Sequence, residues 1–200
     1  MHSTGPVNER NELWRFTAEL IRTALIVGVL TFLIRGFLIQ PFVVKGESMS
    51  PRFHSNDYLL VDKLSGVLGI PQRGDIIVFK YPNNTAENYV KRVIGLPGDR
   101  VTIANGRVTV ATADKPNGVV LDEPYLGPGI TTTPIDGSPS ANYVVPAKTF
   151  FVLGDNRPNS SDSRDWGFLP EEDLIGRVVV EAYPFNQAAI FRHIHYANLD

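Results

Sequence analysis

At Pro41 the chain changes rhythm, and the change rules out most architectures. Beyond it, apolar residues come in short runs rich in Val, Ile, Tyr and Phe. Each run is closed by Gly, Pro, Asn or Asp, the pattern of strands and turns rather than of helices. Strands are expected over Phe42 to Lys45, Tyr58 to Lys63, Asp75 to Tyr81, Tyr89 to Gly95, Phe150 to Leu153 and Leu174 to Ala182. Val101 to Ala104 and Arg107 to Val110 flank Asn105-Gly106, a pair suited to the two positive φ angles of a type I′ hairpin. Residues 111 to 148 are rich in Gly, Pro, Thr and Asp and only weakly periodic. A structureless loop of that length is unusual in a compact domain, so 101–148 is expected to be an insertion holding further strands. The body of the protein is therefore mainly β.

Before Pro41 the pattern is different. The uninterrupted apolar run between Arg22 and Arg35 is Thr23 to Ile34, 12 residues. At ~1.5 Å per residue it spans about 18 Å, short of the ~30 Å hydrocarbon core of a bilayer. With Arg35 snorkelling or facing a partner, the run extends through Ile39 to 17 residues, near the lower limit for a tilted spanning helix that Pro41 would end. A membrane anchor, a cleaved secretory signal and a buried amphipathic helix are the three readings. Arg35 to Pro41 offers no small-x-small cleavage site, which counts against the second. Charge does not set an orientation, because Arg10, Arg15 and Arg22 on one side are nearly matched by Arg35, Lys45 and Arg52 on the other.

Composition closes off other classes. With 200 residues, 43% hydrophobic and 20% charged, the balance is that of an ordinary globular protein. The net charge is −2 with no basic run, so nucleic acid is excluded as a partner. Zero cysteines remove disulfides, thiol nucleophiles and thiolate metal sites. No His-Glu-x-x-His, EF-hand loop or Gly-x-Gly-x-x-Gly occurs, so neither a metal nor a cofactor is expected.

Two residues then invite a chemical reading, Ser48 in Ser48-Met49-Ser50-Pro51 and Lys91 in Tyr89-Val90-Lys91-Arg92-Val93-Ile94-Gly95. A free lysine, with a pKa of ~10.4, is neutral in only about one molecule in 2,500 at pH 7. Bringing that pKa to ~7 requires disfavouring the charge by ~4.6 kcal/mol, which burial can supply. On a strand, Tyr89, Lys91 and Val93 share one face and Val90, Arg92 and Ile94 the other, so Lys91 can be buried while Arg92 stays in water. An edge strand with both cations solvated is the plainer alternative. Ser48 has one too, since Ser-x-Ser-Pro is ordinary turn chemistry. To act as a nucleophile it needs a base and oxyanion donors, and no histidine is well placed: His2 is terminal, His54 lies in a polar turn, and His193 and His195 are in the tail. Neither Gly-x-Ser-x-Gly nor Ser-x-x-Lys is present.

Four segments in fixed order carry a resemblance. They are Ser48-Met49-Ser50-Pro51, the stretch Arg73 to Pro82 (RGDIIVFKYP), the stretch Lys91 to Asp99 (KRVIGLPGD) and the stretch Gly154 to Arg164 (GDNRPNSSDSR). Together they resemble bacterial type I signal peptidase, a membrane-bound serine-lysine endopeptidase, over about residues 20 to 182. The resemblance implies an antiparallel β catalytic core (42–100 and 149–183), a smaller β insertion (101–148) and one N-terminal transmembrane helix (17–41), between an N-terminal tail (1–16) and a C-terminal tail (184–200). It implies that Ser48 attacks the scissile carbonyl, that neutral Lys91 takes its proton, that Ser160 orients Lys91, and that Asp162 pairs with Arg164. It implies preprotein signal peptides as substrates, cut after small residues at −1 and −3 in an Ala-x-Ala pattern. Met49, Phe53, Tyr89 and Val90 are nominated for the −1 pocket, and Phe42, Leu59 and Val78 for the −3 pocket. Membrane lipid is the expected surroundings, with the body on the extracytoplasmic side of the plasma membrane. A soluble self-cleaving repressor relative would need a DNA-binding domain that 47 residues with an apolar segment do not supply. A silent binding module of the same fold is the alternative from another class.

Two departures stand out. Many family members place a serine where this chain has Gly46 and use its hydroxyl in the oxyanion hole, so the Ser48 N–H is expected to work with some other donor. Arg52-Phe53 replaces the more usual Thr-Leu, which bears on pocket shape rather than chemistry.

Overall fold

The computed structural model describes residues 9–33, 39–64, 71–185, 188–191, 194, 196 and 199. The chain divides into two compact units, 1–39 and 40–200. Helix α1 spans Glu9–Leu33 in the first. It starts earlier than the expected anchor, and Arg15, Glu19 and Arg22 lie along it. Among the described residues no helix is long and apolar enough to cross a membrane. The physical reason is those charges, which leave only Thr23 to Leu33 as a charge-free described run. Arg35 and residues 36–38, on which the longer run depended, lie outside the described residues. Pro41 does not end a helix; it sits within strand β1, Ile39–Val43.

The second unit is mainly antiparallel β. Its strands are β2 Tyr58–Asp62, β3 Ile76–Tyr81, β4 Asn84–Gly95, β5 Arg100–Ala104, β6 Arg107–Ala111, β7 Val119–Val120, β8 Ser140–Val144, β9 Thr149–Leu153, β10 Leu169–Pro170, β11 Leu174–Tyr183 and β12 Ala189–Ile190. A short helix α2, Ser163–Trp166, precedes β10. Eight strands form one sheet in the order β1-β2-β11-β3-β4-β9-β10, with β12 added to β11. A second sheet, β7-β6-β5-β8, is built from the chain between β4 and β9. The turn from β5 to β6 has Asn105 at φ 52° and Gly106 at φ 75°, the left-handed pair that a type I′ hairpin requires.

The register of β3 on β4 sets up the site. Val78 pairs with Val90, Ile77 with Lys91 and Phe79 with Tyr89. On one face Val78 and Val90 join a core with Met49, Phe53, Leu59, Val61 and Val178. On the other, Ile77, Phe79 and Val93 pack with Phe150, Val152 and Leu169. Both faces are covered, which is why β3 reads as a continuous apolar run instead of alternating. Fully burying a side chain such as Phe53 contributes about 1.5 to 3 kcal/mol, enough to anchor the loop that carries it. A third core joins Ile94, Phe151 and Leu153 to Val101, Ile103, Val108 and Val110 of the smaller sheet. Tyr196 and Leu199, from the stretch read as a tail, are buried there as well.

Candidate active site

Ser48 lies in the tight turn that follows β1. The N–H of Ser50 donates to the Glu47 carbonyl at 3.1 Å, and those of Arg52 and Phe53 donate to the Met49 carbonyl at 2.9 and 3.0 Å. Met49 and Phe53 are buried in the core beneath, so the turn is pinned on one side by apolar contact. Gly46 enters it at φ +89°, a conformation that favours glycine, although nothing lies within 4 Å of where a Cβ would stand. The backbone at Gly46 is therefore in a conformation that glycine adopts without strain.

Lys91 projects from the centre of β4 and is 2% exposed. Its Nζ donates to Ser48 Oγ at 2.8 Å and to the Val90 carbonyl at 3.1 Å, and stands 5.2 Å from the centre of the Tyr89 ring. A charged ammonium offers three donors, and two acceptors meet it among the described residues. Desolvation brings its pKa down to about 8, while the negative charges of Asp162 and then Asp155 hold it from falling further. A buried amine within hydrogen-bond reach of a hydroxyl can take that hydroxyl's proton once it is neutral.

The segment 154–164 wraps the other side of Ser48. The Asn156 N–H donates to the Ser48 carbonyl at 3.0 Å, and Asn156 Nδ2 to the Glu47 carbonyl at 2.9 Å. Gly154 leaves no room for a side chain: a Cβ would lie 2.5 Å from the Ser48 carbonyl oxygen and would collide with Ser160 Oγ. Asp162 and Arg164 form a two-pronged pair, Nε to Oδ1 and Nη2 to Oδ2, each at 2.8 Å. Asp162 Oδ2 also accepts from the Gly154 N–H at 3.1 Å. Ser160 is buried beside Gly154, but its Oγ has no hydrogen-bond partner among the described residues, so the expected bond to Lys91 is not made here.

One expectation changes. Arg92 is not solvated: it is 1% exposed, its Nε and Nη2 donate to Asp155 at 2.8 and 2.6 Å, its Nη1 donates to the Gly74 carbonyl at 2.9 Å, and it stacks 3.8 Å from the centre of the Tyr125 ring. Val90 and Ile94, two residues to either side on the same face, were the available signal that this face is covered. Asp155 and Arg157 are also buried. Arg157 donates to both carboxylate oxygens of Glu123 and to Thr132 Oγ1. Nothing in the local sequence around Glu123 or Thr132 marks them as its partners. The nominated pocket residues lie on both faces of β4, as its alternation requires. Met49, Phe53, Leu59 and Val78 are core, with Phe42 and Val90 partly buried against them, whereas Tyr89 packs on the opposite face of β4 with Phe79. Strand alternation separates Tyr89 from Val90.

Residues 17–183 match the family described as signal peptidase, peptidase S26. The chain is 41% identical over 176 residues to a signal peptidase I of Leptolyngbya laminosa, spanning 84% of this chain and 81% of that one. It is 41% identical over 165 residues to a signal peptidase I of Bacillus caldolyticus, spanning 78% and 86%. The crystal structure of a signal peptidase I from Enterococcus faecalis overlaps 54% of this chain and 96% of its own, at 32% identity and a TM-score of 0.42. By these sequence matches the chain is a peptidase, and so a hydrolase. Among peptidases, it belongs to the signal peptidase family.

Proposed function

We propose that the protein cleaves signal peptides from preproteins with Ser48 as nucleophile and Lys91 as general base. The 2.8 Å approach of Lys91 Nζ to Ser48 Oγ in a buried setting is the observation that carries this reading. With Lys91 neutral, Ser48 Oγ attacks the scissile carbonyl carbon while its proton moves to Nζ. The carbonyl oxygen becomes an oxyanion facing the Ser48 N–H, which makes no hydrogen bond among the described residues. Collapse breaks the C–N bond, the Lys91 proton leaves with the new amine, and the signal peptide's carbonyl stays esterified to Ser48. Water, losing a proton to Lys91, then attacks the ester; Lys91 passes that proton to Ser48 Oγ as the C–O bond breaks, and the new acid gives its proton to solvent to become a carboxylate. Asp162, held by Arg164, moderates the pKa of Lys91 through its charge and ties down Gly154.

Ser160, whose Oγ borders Gly154 beside the Ser48 carbonyl, is assigned the role of orienting Lys91. The sheet from β1 to β10 is taken as the catalytic body, and the smaller sheet as a non-catalytic insertion. Cleavage after small residues at −1 and −3 follows if Val90, Phe42 and the core behind them, Met49, Phe53, Leu59 and Val78, floor a shallow site, with Tyr89 at its margin. An extended substrate would gain main-chain bonds as an added strand. The site is taken to work at the extracytoplasmic surface of the plasma membrane. Leu13, Trp14, Phe16, Leu20, Leu25 and Phe32 of α1 are all more than half exposed, an apolar load that lipid would cover.

The test is cleavage of a preprotein carrying an Ala-x-Ala site by detergent-solubilised protein, comparing wild type with Ser48→Ala and Lys91→Met. Cleavage after that site by wild type, lost in both variants, is the expected result. Cleavage that survives Lys91→Met would overturn the base, and a wild type inert on several preproteins would favour a binding module.

A further inference from the structure

Asn156 makes two contacts with the nucleophile turn, and one of them has a particular address. Its Nδ2 donates to the Glu47 carbonyl at 2.9 Å. That carbonyl and the Ser48 N–H belong to one planar peptide unit, so whatever fixes the direction of the C=O fixes the direction of the N–H. A donor bound to the carbonyl also draws charge from the amide and makes its N–H a stronger donor, the cooperative effect of hydrogen bonds in series. The series continues outward, with Asn159 Nδ2 donating to Asn156 Oδ1 at 3.3 Å, a long bond.

The backbone of Asn156 is held against drift. Its N–H is bonded to the Ser48 carbonyl at 3.0 Å. On one side Asp155 is locked to Arg92, and on the other Arg157 is locked to Glu123, both in buried ion pairs. Two carboxamides and one peptide therefore form a line that ends at the Ser48 N–H. Since Gly46 carries no hydroxyl, the oxyanion leans more heavily on that N–H, and its aim matters more than where a serine hydroxyl shares the load.

We infer that Asn156 is a positioning residue for the oxyanion: its carboxamide aims and polarises the Ser48 N–H. The inference rests on Ser48 being the nucleophile. Removing a whole oxyanion donor lowers kcat by about 10²–10³-fold, and losing only its alignment lowers it less, by roughly 10- to 100-fold. Because Asn156 does not touch Lys91, the base should titrate as before.

The experiment uses the full chain and a peptide substrate with small residues at −1 and −3, with three variants. Asn156→Ala removes the carboxamide. Asn156→Asp keeps its shape but turns a carboxylate oxygen toward the Glu47 carbonyl. Asn159→Ala, at an exposed position, breaks only the outer link and leaves the turn untouched. Expected are a 10- to 100-fold fall in kcat for the two Asn156 variants and about two- to fivefold for Asn159→Ala, with KM within about twofold and, for the two alanine variants, the acid limb of the pH profile unmoved. A peptide aldehyde, which forms an oxyanion-like adduct with a serine, should lose affinity in step with kcat, while an unreactive peptide of the same sequence binds as before. Equal weakening of both peptides, a loss confined to KM, a displaced acid limb in either alanine variant or an undiminished kcat in either Asn156 variant would overturn the inference. Activity that persists in Ser48→Ala would instead overturn the peptidase mechanism on which it rests.

Discussion

Lys91 and Arg92 are neighbours on β4, point to opposite faces of the sheet and are both sealed from water, yet their charges meet opposite fates. Burial weighs against the charge of each. For Arg92 it is outweighed by the hydrogen bonds and charge of Asp155, and the guanidinium is held more firmly protonated than in water. For Lys91 the carboxylates act only from a distance, burial prevails, and the pKa comes down to about 8. Burial alone does not decide whether a cation survives in a β core; direct contact with a carboxylate does. One face of β4 thereby gains a strut and the other a base.

The sharpest way to break this contrast is to make the two faces alike. Lys91→Arg places a permanent cation beside Ser48, and kcat/KM for a cleavable preprotein should fall about 10⁴-fold or more, since arginine cannot deprotonate in this range. Next in size, Asp155→Ala strands Arg92 without its partner. Denaturant unfolding should show a loss of about 3 to 5 kcal/mol, whereas the same substitution at an exposed carboxylate such as Glu171 should cost under about 1 kcal/mol.

Lys91→Met should act in the other direction. The folded-state pKa of about 8 lies below the usual 10.5, so the unfolded chain binds more protons between those values and wild-type stability rises with pH across that window. Below pH 8 the buried lysine costs up to about 3 kcal/mol, and Lys91→Met should be more stable there, with the advantage shrinking toward pH 10.5. A variant of equal or lower stability at pH 6 would mean that contacts of the amine outweigh its desolvation. The smallest effect is on the pH profile. For wild type, kcat/KM should rise tenfold per unit below about pH 8 and then level off. Asp162→Asn removes the larger of the charges that hold the lysine's pKa up, so the limb should move to lower pH.

Much of this could be read in the residues. The rhythm beyond Pro41 marked most strands to within a few residues, because β3, β9 and the second half of β4 are covered on both faces and read as short apolar runs, whereas the exposed first half of β4 left no such run. Asn105-Gly106 named its hairpin because few other pairs tolerate two positive φ angles. The alternation around Lys91 placed it opposite Arg92, yet the assumption that Arg92's side met water was wrong, since its covering comes from Tyr125 and Asp155, 33 and 63 residues away. The two-residue strands β7, β10 and β12 exist through their pairing partners and leave no periodic trace. Nor could pattern alone reveal that Tyr196 returns from the chain end to share a hydroxyl contact with Tyr125 at 2.8 Å.

Glu123 limits how the enzyme can be miniaturised. The smaller sheet looks like cargo that a compact biocatalyst could shed, but a deletion of 101–148 would take Glu123, Tyr125 and Thr132 with it. Arg157 would lose its carboxylate and Arg92 its aromatic lid, both directly behind the segment that grips Ser48. A shortened version would therefore need Arg157 redesigned as a neutral side chain before the excision, and the order of those two edits would decide whether anything folds.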